Sequence, residues 1–537
     1  MTDKQPVYIL PENATRMLGR DAQRNNILAA KIIAETVKTT LGPKGMDKML
    51  VDATGDIIVT NDGVTILKEM EVEHPAAKMM IEIAKTQEEE VGDGTTTAVM
   101  LAGKLLENAE SLLEKKIHPT TIIKGYRVAS EKAKEILNNV AVDVKPEDKE
   151  LLKKIAATAM TGKGAEAVKD KFAEIIVDAL NQIEDNGKID ISAIKIEKAK
   201  GNGIEDTELI KGIVLDKDRV SIEMPAKVDN AKIVLIDSAL EIKAPETDTK
   251  ISISTPEQLQ SFIDQEENLL KRMVEKIKEV GANVVFCQKG IDDIAQYYFA
   301  KFGIYACRRV AKSDMEKLAR ATSGKIVSNI NEISTDQLGE AETVEEVKKG
   351  EESMTYIRGC KNPKSLTILL RGGTGHVLDE MERALMDGLG DVAAALKDGK
   401  IVAGGGSVEI ELAKELRKFS QSLGGREQLA AEQFASALEF IPSTLAENAG
   451  LDPIEILTEL KAKHDQDKKY FGLNLLNSKI SDNLESGVIE PLRIKTQAVA
   501  SATEVSMMIL RIDDVIAANN KSSMPSMRSS QGMPSLE

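Results

Sequence analysis

The secondary-structure pattern changes twice along the 537-residue chain, and this change limits the possible folds more than any single motif. Residues from about 17 to 183 and from about 375 to 463 mostly follow helical periodicity. Between about 185 and 372, β-rich runs such as NVVFCQ and SLTILLRG alternate with helical runs. Such alternation is typical of an α/β layer. The sequence therefore predicts a mainly helical domain, made by both ends of the chain, with an α/β domain inserted in it.

Local patterns inside the outer regions give more specific predictions. Four apolar residues recur at helical spacing and predict a helix with an apolar stripe: Ile27, Ile32, Ile33 and Val37. In IIVTNDGVTIL, an Asn-Asp-Gly turn between two apolar runs predicts a β-hairpin with Asp62 at its tip, although Asp is also simply a good turn former. The last residues, NNKSSMPSMRSSQGMPSLE, have no usable period and are predicted to be disordered.

Composition excludes several classes of function. The 71 basic and 87 acidic residues give a net charge of −16, which argues against nucleic acid or an anionic membrane as a partner. The three cysteines and four histidines are scattered, so neither a disulfide framework nor a zinc site is expected. The first residues do not follow a signal-peptide pattern, and no apolar run approaches the ~18 residues that span a bilayer. We therefore expect a cytoplasmic protein without a membrane partner.

The segment VGDGTTTAVMLAGKLL, residues 91–106, carries the strongest local signal for ligand binding. Gly92 and Gly94 flank Asp93, and three threonines then open a helical apolar pattern. Backbone N–H groups and hydroxyls at such a helix start suit a phosphate, and Asp93 beside them suits a Mg²⁺ ion. An ordinary Asp/Gly turn with a threonine cap explains the same residues, and both interpretations stay open.

The better-known nucleotide motifs are absent from the sequence, which contains neither GxxxxGK[ST] nor a complete GxGxxG. A nucleotide would therefore need a different set of loops. Three Gly-rich segments are available: Thr40–Gly45, Thr161–Gly164 and Ala403–Ser407. Each alone is a weak signal, because such segments are far more often turns than ligand sites.

An acidic candidate lies on a predicted helix over 377–396. Asp387 is about opposite its apolar face, with Arg383 and Asp391 one turn on either side. The simplest interpretation is a solvated face with an Arg383–Asp387 pair, worth only ~0.3–0.5 kcal/mol. Gly388 and Gly390 oppose it, because each glycine costs ~1 kcal/mol inside a helix and suggests a close approach there.

Seven motifs occur together and in order along the chain: TLGPKGMDKML, TNDGVTIL, VGDGTTTAV, TGKGAE, VAGGGSVE, LAENAGLDPIEIL and VIEPLRIKTQA. In this combination the sequence resembles the group II chaperonins, and among them the archaeal thermosome subunits, which are related to the eukaryotic cytosolic chaperonin. The resemblance covers essentially the whole chain. It implies an ATP hydrolase that uses Mg²⁺ and ATP to drive closure of a double-ring chamber, in which non-native client proteins are enclosed and folded.

The resemblance also implies a multidomain α and α/β fold, in agreement with the inserted-domain prediction. An equatorial ATPase domain would be formed by both chain ends, and an intermediate hinge and an apical domain would be inserted in it. The implied boundaries are equatorial 1–147 and 404–520, intermediate 148–216 and 369–403, apical 217–368 with a lid protrusion at about 246–276, and a tail at 521–537.

Site roles follow from the resemblance wherever the motifs match. Asp93 would hold Mg²⁺, Asp387 would orient or deprotonate the attacking water, and Asp62 would assist. Nucleotide contacts would come from Leu41, Gly42, Pro43, Gly94, Thr95, Thr96, Thr97, Lys163, Gly405, Gly406, Asn474 and Glu490. Among these, Lys163 would sense the γ-phosphate, Glu490 would meet the ribose, and Asn474 would lie near the base. The chain departs from the family at Gly388, where alanine is common after the catalytic aspartate.

Group II members carry a built-in lid and need no separate lid co-chaperonin. Here Ile251–Ser254 alternates, and Thr255, Pro256 and Gln258 form a helix start with a capping box. The following helix has one apolar stripe: Leu259, Phe262, Ile263, Leu270, Met273, Val274 and Ile277. The stripe fits either a helix packed on its own sheet or a projecting lid that binds clients and neighbouring lids.

Two other classes of function use the same loops. A metabolic phosphotransferase would need a small-molecule pocket and would form a small oligomer, and a passive scaffold would bind nucleotide without turnover. Particle size and ATP turnover separate these from the chaperonin interpretation, whose partners are client proteins and identical or homologous subunits in two stacked rings.

Overall fold

The computed structural model describes residues 14–518, except 52–53, 166, 186–187, 202, 243–254, 350–351 and 362. The predicted disordered tail and the alternating run Ile251–Ser254 therefore lie outside the described residues. The helices are α1 Gly19–Lys38, α2 Gly63–Glu69, α3 Pro75–Glu90, α4 Thr95–Glu114, α5 Pro119–Val140, α6 Lys149–Met160, α7 Lys169–Ile183, α8 Pro256–Glu279, α9 Asp293–Lys301, α10 Lys312–Thr322, α11 Gly375–Asp398, α12 Ser407–Ser420, α13 Arg426–Leu438, α14 Phe440–Asn448, α15 Pro453–Asp465, α16 Asn483–Ser486 and α17 Leu492–Leu510.

The strands are short outside the central region. They are β1 Ala14–Leu18, β2 Lys48–Val51, β3 Ile57–Thr60, β4 Val142–Asp143, β5 Ile194–Lys200, β6 Glu208–Ile210, β7 Gly212–Leu215, β8 Lys227–Ile236, β9 Val284–Cys287, β10 Tyr305–Cys307, β11 Ile326–Val327, β12 Gly339–Lys349, β13 Glu352–Arg358, β14 Leu366–Gly372, β15 Lys400–Ala403, β16 Phe471–Asn474, β17 Lys479–Asp482, β18 Ile489–Pro491 and β19 Asp514–Ala518.

Both chain ends build one helical domain, as the sequence predicts. Helices α1, α3, α4 and α5 pack against α13 and α17 around a single apolar core. In its centre the ring of Tyr126 meets Phe434 edge-on at 5.7 Å, and its hydroxyl donates to Leu105 O at 2.7 Å. Strands β1 and β19 pair antiparallel and join the two ends directly. This core holds together segments about 300 residues apart in sequence and positions the loops described below.

Two inserted layers follow the helical domain. The first combines α6, α7 and α11 with a small sheet in the order β5-β14-β6. The second is a larger mixed sheet in the order β10-β9-β8-β12-β13-β7, with β11 also pairing with β8. Side chains of β8 alternate between its faces: Val234 and Ile236 pack under α8 and α9, while Ile233 and Leu235 pack under α10. The inserted α/β layer is therefore covered by helices on both faces.

One local prediction is corrected by the structure. Residues 57–66 do not form a hairpin, because β3 pairs with the preceding strand β2 and the chain then turns into α2. Asp62 is the N-cap of that helix, and its carboxylate accepts from the backbone N–H groups of Val64 and Thr65. The helix predicted from the apolar stripe is confirmed as α1, in which Ile27, Ile33 and Val37 are buried and Ile32 is 56% exposed. No helix in the described ranges is long and apolar enough to span a membrane.

The predicted apolar stripe on helix α8 is buried in the second half of the helix and exposed in the first half. Thr255 caps the helix through a 3.4 Å bond from Gln258 N, as expected for this start. In the second half, Leu270, Val274 and Ile277 are fully buried against the sheet. In the first half, Phe262 and Ile263 are exposed, at 38% and 44%. Each interpretation of the stripe therefore fits one half of the helix, and neither fits the whole.

Candidate functional site

The loop before α4 adopts the geometry that its glycines predict. Gly92 and Gly94 have φ angles of 92° and 79°, in the left-handed region that favours glycine. The Gln87 side chain donates to Asp93 O at 2.9 Å and to Ile494 O, which ties this loop to the C-terminal part of the chain. The first N–H groups of α4 therefore lie free of helical bonding at a fixed place, which is suited to an anion.

A cavity of about 360 Å³ opens over this helix start. It is bounded by the loops after α1 and β3, the turn between α6 and α7, and the chain around β15, β16 and β18. The predicted site residues that line it are Leu41, Gly42, Pro43, Asp62, Asp93, Gly94, Thr95, Thr96, Thr97, Lys163, Gly405, Gly406, Asn474 and Glu490. Segments that are distant in sequence thus converge on one volume.

The glycine triplet needs its small residues for a close backbone approach. A Cβ on Gly405 would lie 2.4 Å from Leu473 O, and one on Gly406 would lie 2.5 Å from Pro442 Cβ. Both residues also have positive φ. The triplet can therefore lie against β16 and present its backbone to the cavity. Asn474, at the end of β16, is buried and accepts a bond from Leu476 N at 3.1 Å.

Lys163 connects the cavity to helix α11. Its ammonium forms a close ion pair with Asp387 Oδ2 and lies 3.7 Å from Asp93 Oδ1. Burial alone would lower the pKa of Lys163, but Asp387 and Asp93 outweigh it and raise that pKa. Lys163 therefore keeps its positive charge where it lies, between the loop of Asp93 and the carboxylate of Asp387.

Asp387 lies behind Lys163 rather than in the wall of this cavity. It lines a neighbouring cavity of about 1190 Å³, together with Glu88 and Gly390. Burial raises the pKa of Asp387 to about 8; Lys163 opposes this rise, and Asp93 and Asp62 add to it. A carboxylate with a pKa near neutrality is suited to accept a proton from a reacting group.

Asp62 lines the cavity with its carboxylate already bonded. Its Oδ2 atom accepts from Thr65 N at 2.9 Å and from Thr65 Oγ1 at 2.6 Å. These bonds fix the orientation of the carboxylate at the start of α2. Asp62 is therefore both a helix cap and a fixed negative charge facing the site.

The interpretation of 377–396 as a solvated face with an Arg383–Asp387 pair is wrong. Arg383 pairs with Glu380 at 2.6 Å, and Asp387 pairs with Lys163. The glycines did indicate a close approach: a Cβ on Gly388 would lie 2.6 Å from Ile176 Cδ1, and one on Gly390 would lie 3.1 Å from Val91 O. Helix α11 thus packs closely against α7 at Gly388 and against the loop that precedes α4 at Gly390.

Asp391, one turn after Asp387, is a site residue that the sequence did not reveal. It lines the cavity and is only 1% exposed, and its Oδ1 atom has no hydrogen-bond partner in the described part of the chain. Burial, then the charge of Asp93, raises its pKa well above the usual range. Its position four residues after Asp387, next to Gly390, was the available signal, since such residues share a helix face.

Glu490 is held in place by a second buried cation. Lys495 Nζ lies 2.6 Å from Glu490 Oε2 and 2.9 Å from Glu409 Oε1, and all three side chains are largely buried. Burial would lower the pKa of Lys495, but Glu409 and Glu490 raise it. Lys495 also lines the cavity, although no motif singled it out. Burial raises the pKa of Glu490, and the pairing with Lys495 opposes that rise and fixes the position of the carboxylate at the cavity.

The fold and the cavity together define a class: a protein with a mainly helical domain built from both chain ends, an α/β domain inserted in it, and a cavity in the helical domain suited to an anionic ligand. The comparisons identify the family. Residues 33–520 match the TCP-1/cpn60 chaperonin family, so the chain belongs to that family. It is an ATP-dependent chaperone of the double-ring group II type, and its enzymatic activity is ATP hydrolysis.

Relatives resemble the chain over nearly its full length. The thermosome subunit of Methanopyrus kandleri is 61% identical over 524 residues, which cover 97% of this chain and 96% of the relative. The thermosome subunit beta of Archaeoglobus fulgidus is 60% identical over 536 residues, covering 99% and 98%. A solved open-state monomer of a group II chaperonin from Methanococcoides burtonii is 47% identical with a TM-score of 0.60, and the match covers 79% of this chain and all of that one.

The carboxylates of the cavity fit a Mg²⁺ ion whose remaining coordination positions are filled by nucleotide phosphates and water. In the described residues, no group of three His, Cys, Asp or Glu side chains is placed to hold a metal alone. Mg²⁺ does not require such a group, because it commonly uses one or two carboxylates, substrate phosphates and water. Asp93 offers one carboxylate beside the start of α4, whose N–H groups suit an anion.

Proposed function

We propose that the cavity between the chain ends is the ATPase centre of this chaperone and that it works with Mg²⁺. The observation that carries the proposal is the convergence of the phosphate-binding start of α4, the glycine triplet and the carboxylates of Asp62 and Asp93 on one volume. Asp93 would hold the ion, and Gly94 with Thr95, Thr96 and Thr97 would bind the phosphates. When bound, Mg²⁺ neutralises charge on the phosphates.

Asp387 is proposed as the base that orients or deprotonates the attacking water. Its burial and raised pKa support this role, because a base near the working pH combines ionisation with proton affinity. Lys163 would move from Asp387 toward the γ-phosphate when ATP binds, which frees the carboxylate for water. Asp62, fixed by Thr65, would assist through its charge.

The remaining lining residues are proposed to bind the nucleoside. Leu41, Gly42 and Pro43 would contact it from one side and the backbone of Gly405 and Gly406 from the other. Glu490, held by Lys495, would accept hydrogen bonds from the ribose hydroxyls. Asn474 would lie near the base.

The inserted part is proposed to bind and enclose clients. We keep the domain division given above, with equatorial 1–147 and 404–520, intermediate 148–216 and 369–403, and apical 217–368. The exposed first half of α8 supports a built-in lid, because Phe262 and Ile263 offer apolar surface for non-native chains. Identical or homologous subunits would form two stacked rings in the cytoplasm, without a separate lid co-chaperonin.

The test of this proposal is Asp93→Ala. Because Asp93 is the proposed ion ligand, the variant should bind Mg-ADP about 10–100-fold more weakly. Fluorescence titration with a labelled ADP in millimolar Mg²⁺ measures this, and Asp398→Ala, a change at the exposed end of α11, is the control. If Asp93→Ala binds Mg-ADP normally and fails only in hydrolysis, the roles of Asp93 and Asp387 are wrongly divided.

A further inference from the structure

Asp391 is a buried carboxylate for which neither the fold nor the proposed mechanism has a use. It is 1% exposed, and its Oδ1 atom has no hydrogen-bond partner among the described residues. An unpartnered buried carboxylate is costly, so a position of this kind is rarely tolerated without a function. Asp391 lies in the wall of the nucleotide cavity, so a ligand in that cavity can reach it.

The surroundings of Asp391 indicate which kind of ligand it would take. The charges of Asp93 and Asp387 disfavour its ionised form, and Lys163 favours it. In the present structure Lys163 lies between Asp93 and Asp387 and is the cation among these carboxylates in the described chain. Burial disfavours the ionised form of Asp391, and a cation brought in with the ligand would offset that cost, so a cation or a donor hydrogen suits its unpartnered Oδ1 atom. The free oxygen therefore calls for a positively charged or hydrogen-donating partner.

We propose that Asp391 is a positioning residue for the hydrated Mg²⁺ ion, accepting hydrogen bonds from water bound to the ion at Asp93. Direct coordination is not required, in agreement with the lack of a three-carboxylate group within the described residues. Mg²⁺ dehydrates reluctantly and keeps several waters, whose hydrogens need acceptors. A buried carboxylate oxygen is a strong acceptor for them. This inference rests on the proposed role of Asp93.

Helix α11 then links the two carboxylates of the reaction. Asp387 and Asp391 are one helical turn apart, so both are placed by the same rigid element. Gly390 packs under Val91 O and fixes the distance of this turn from the loop that carries Asp93. Asp391 would hold the ion's water shell at a constant position relative to Asp387, whose own partner is Lys163.

The experiment is a Mg²⁺ titration of nucleotide binding by the assembled full chain. Fluorescent ADP is bound at a fixed concentration while Mg²⁺ is varied, and its affinity is also measured in EDTA. The variant is Asp391→Asn, which keeps the shape and removes the charge. Asp398→Asn, the same change at the exposed end of the same helix, is the matched control, and Asp93→Asn is the reference for loss of the ion ligand.

For Asp391→Asn we expect the Mg²⁺ concentration at half-maximal binding to rise about tenfold, as for loss of an outer-sphere carboxylate, with the affinity in EDTA unchanged or higher. A rise of less than about threefold, or an equal weakening in EDTA, would overturn the inference. If Asp93→Asn shifts the titration and Asp391→Asn does not, only this inference fails. If neither does, the proposed ion site fails as well. Asp391→Ser is read in the same way if the Asn variant does not assemble.

Discussion

The nucleotide cavity and the first half of α8 differ in what they leave without a partner. In the cavity wall, charged side chains are partly buried and each has a bonded partner: Lys163 pairs with two carboxylates, Asp62 with Thr65 and Glu490 with Lys495. On α8, Phe262 and Ile263 are apolar and exposed. Chemistry requires charges fixed before the substrate arrives, while binding of varied non-native chains requires apolar surface with no partner of its own. Substitutions in the two regions should therefore affect different measurements.

The largest effect is expected from Asp387→Ala. The variant should bind nucleotide and lose about 10²–10⁴-fold in hydrolysis, the usual cost of losing a general base. Phosphate release measures the rate, and titration with labelled ADP measures binding. Asp379→Ala changes a half-exposed residue earlier on the same helix and should leave both unchanged. Turnover within a few fold of the parent would remove Asp387 from the catalytic role.

Replacing the protruding part of the apical domain should have the opposite pattern. A short Gly/Ser linker in place of about 246–266 should spare ATP hydrolysis and abolish shielding of a client, since the cavity residues lie outside this segment. The replacement ends before Glu267, which bonds the Tyr298 hydroxyl at 2.7 Å, and before Leu270, which is part of the core. The second half of α8 is kept because helical periodicity is the same for a projecting and a packed stripe, and Leu270 is packed.

The measurement is the protease sensitivity of a bound non-native client with ATP and a phosphate analogue present. The parent should protect the client, and the shortened protein should leave it as sensitive as free client. Equal protection by both proteins would contradict the built-in lid. Loss of ATP hydrolysis in the shortened protein would show that the two regions are not separable.

The two halves of α8 can be compared directly. Leu270→Ala should lower the free energy of unfolding by about 2–5 kcal/mol, because it removes a fully buried side chain. Ile263→Ala truncates an apolar side chain of the same size in the exposed half and should change the free energy of unfolding by no more than about 0.5 kcal/mol. Chemical denaturation measures both. Equal losses would mean that the first half of α8 is packed rather than available to clients.

The architecture could be predicted from sequence to a large extent. Periodicity is a local property, so the helical outer regions, the inserted α/β layer and the capped start of α8 at Thr255 were all recognised. The residues that line the cavity were named through the family resemblance of the seven motifs taken together, because each Gly-rich segment alone is a weak signal. These features are encoded within a few neighbouring residues.

One error is local, at Asp62, and the others concern partners that are distant in sequence. Asp62 was placed in a hairpin because Asn-Asp-Gly is a turn signal, but β3 pairs backwards with β2 and the turn opens a helix. For Asp391, helical spacing left a solvated face and a close approach both open, because spacing cannot show that this residue lines the cavity. The Lys163–Asp387 pair joins residues 224 apart in sequence. Tertiary packing decides such cases, and local pattern does not contain it.

The smallest expected effect is a pH-dependent change in stability from Glu88. This residue and Asp387 both line the neighbouring cavity described above. Burial, then the charges of Asp62 and Asp93, raises the pKa of Glu88 to about 7, against Lys68 and Lys163. Its folded-state pKa lies above the usual value of 4.5, so the folded state binds the proton more tightly. Stability from this group is therefore present below about pH 4.5 and is lost as the pH rises toward 7.

Glu88→Gln cannot ionise, so its melting temperature should exceed that of the parent by an amount that grows from pH 4.5 to 7 and is constant above. Because Glu88 is only half-buried and solvent screens part of its charge, we expect a difference of about 2–4 °C. Thermal unfolding without nucleotide measures it, and Glu89→Gln on the exposed neighbour controls for the loss of one negative charge. A difference that does not vary with pH would mean that Glu88 is not part of the buried charge network, and the contrast with α8 would then be limited to Lys163 and its carboxylates.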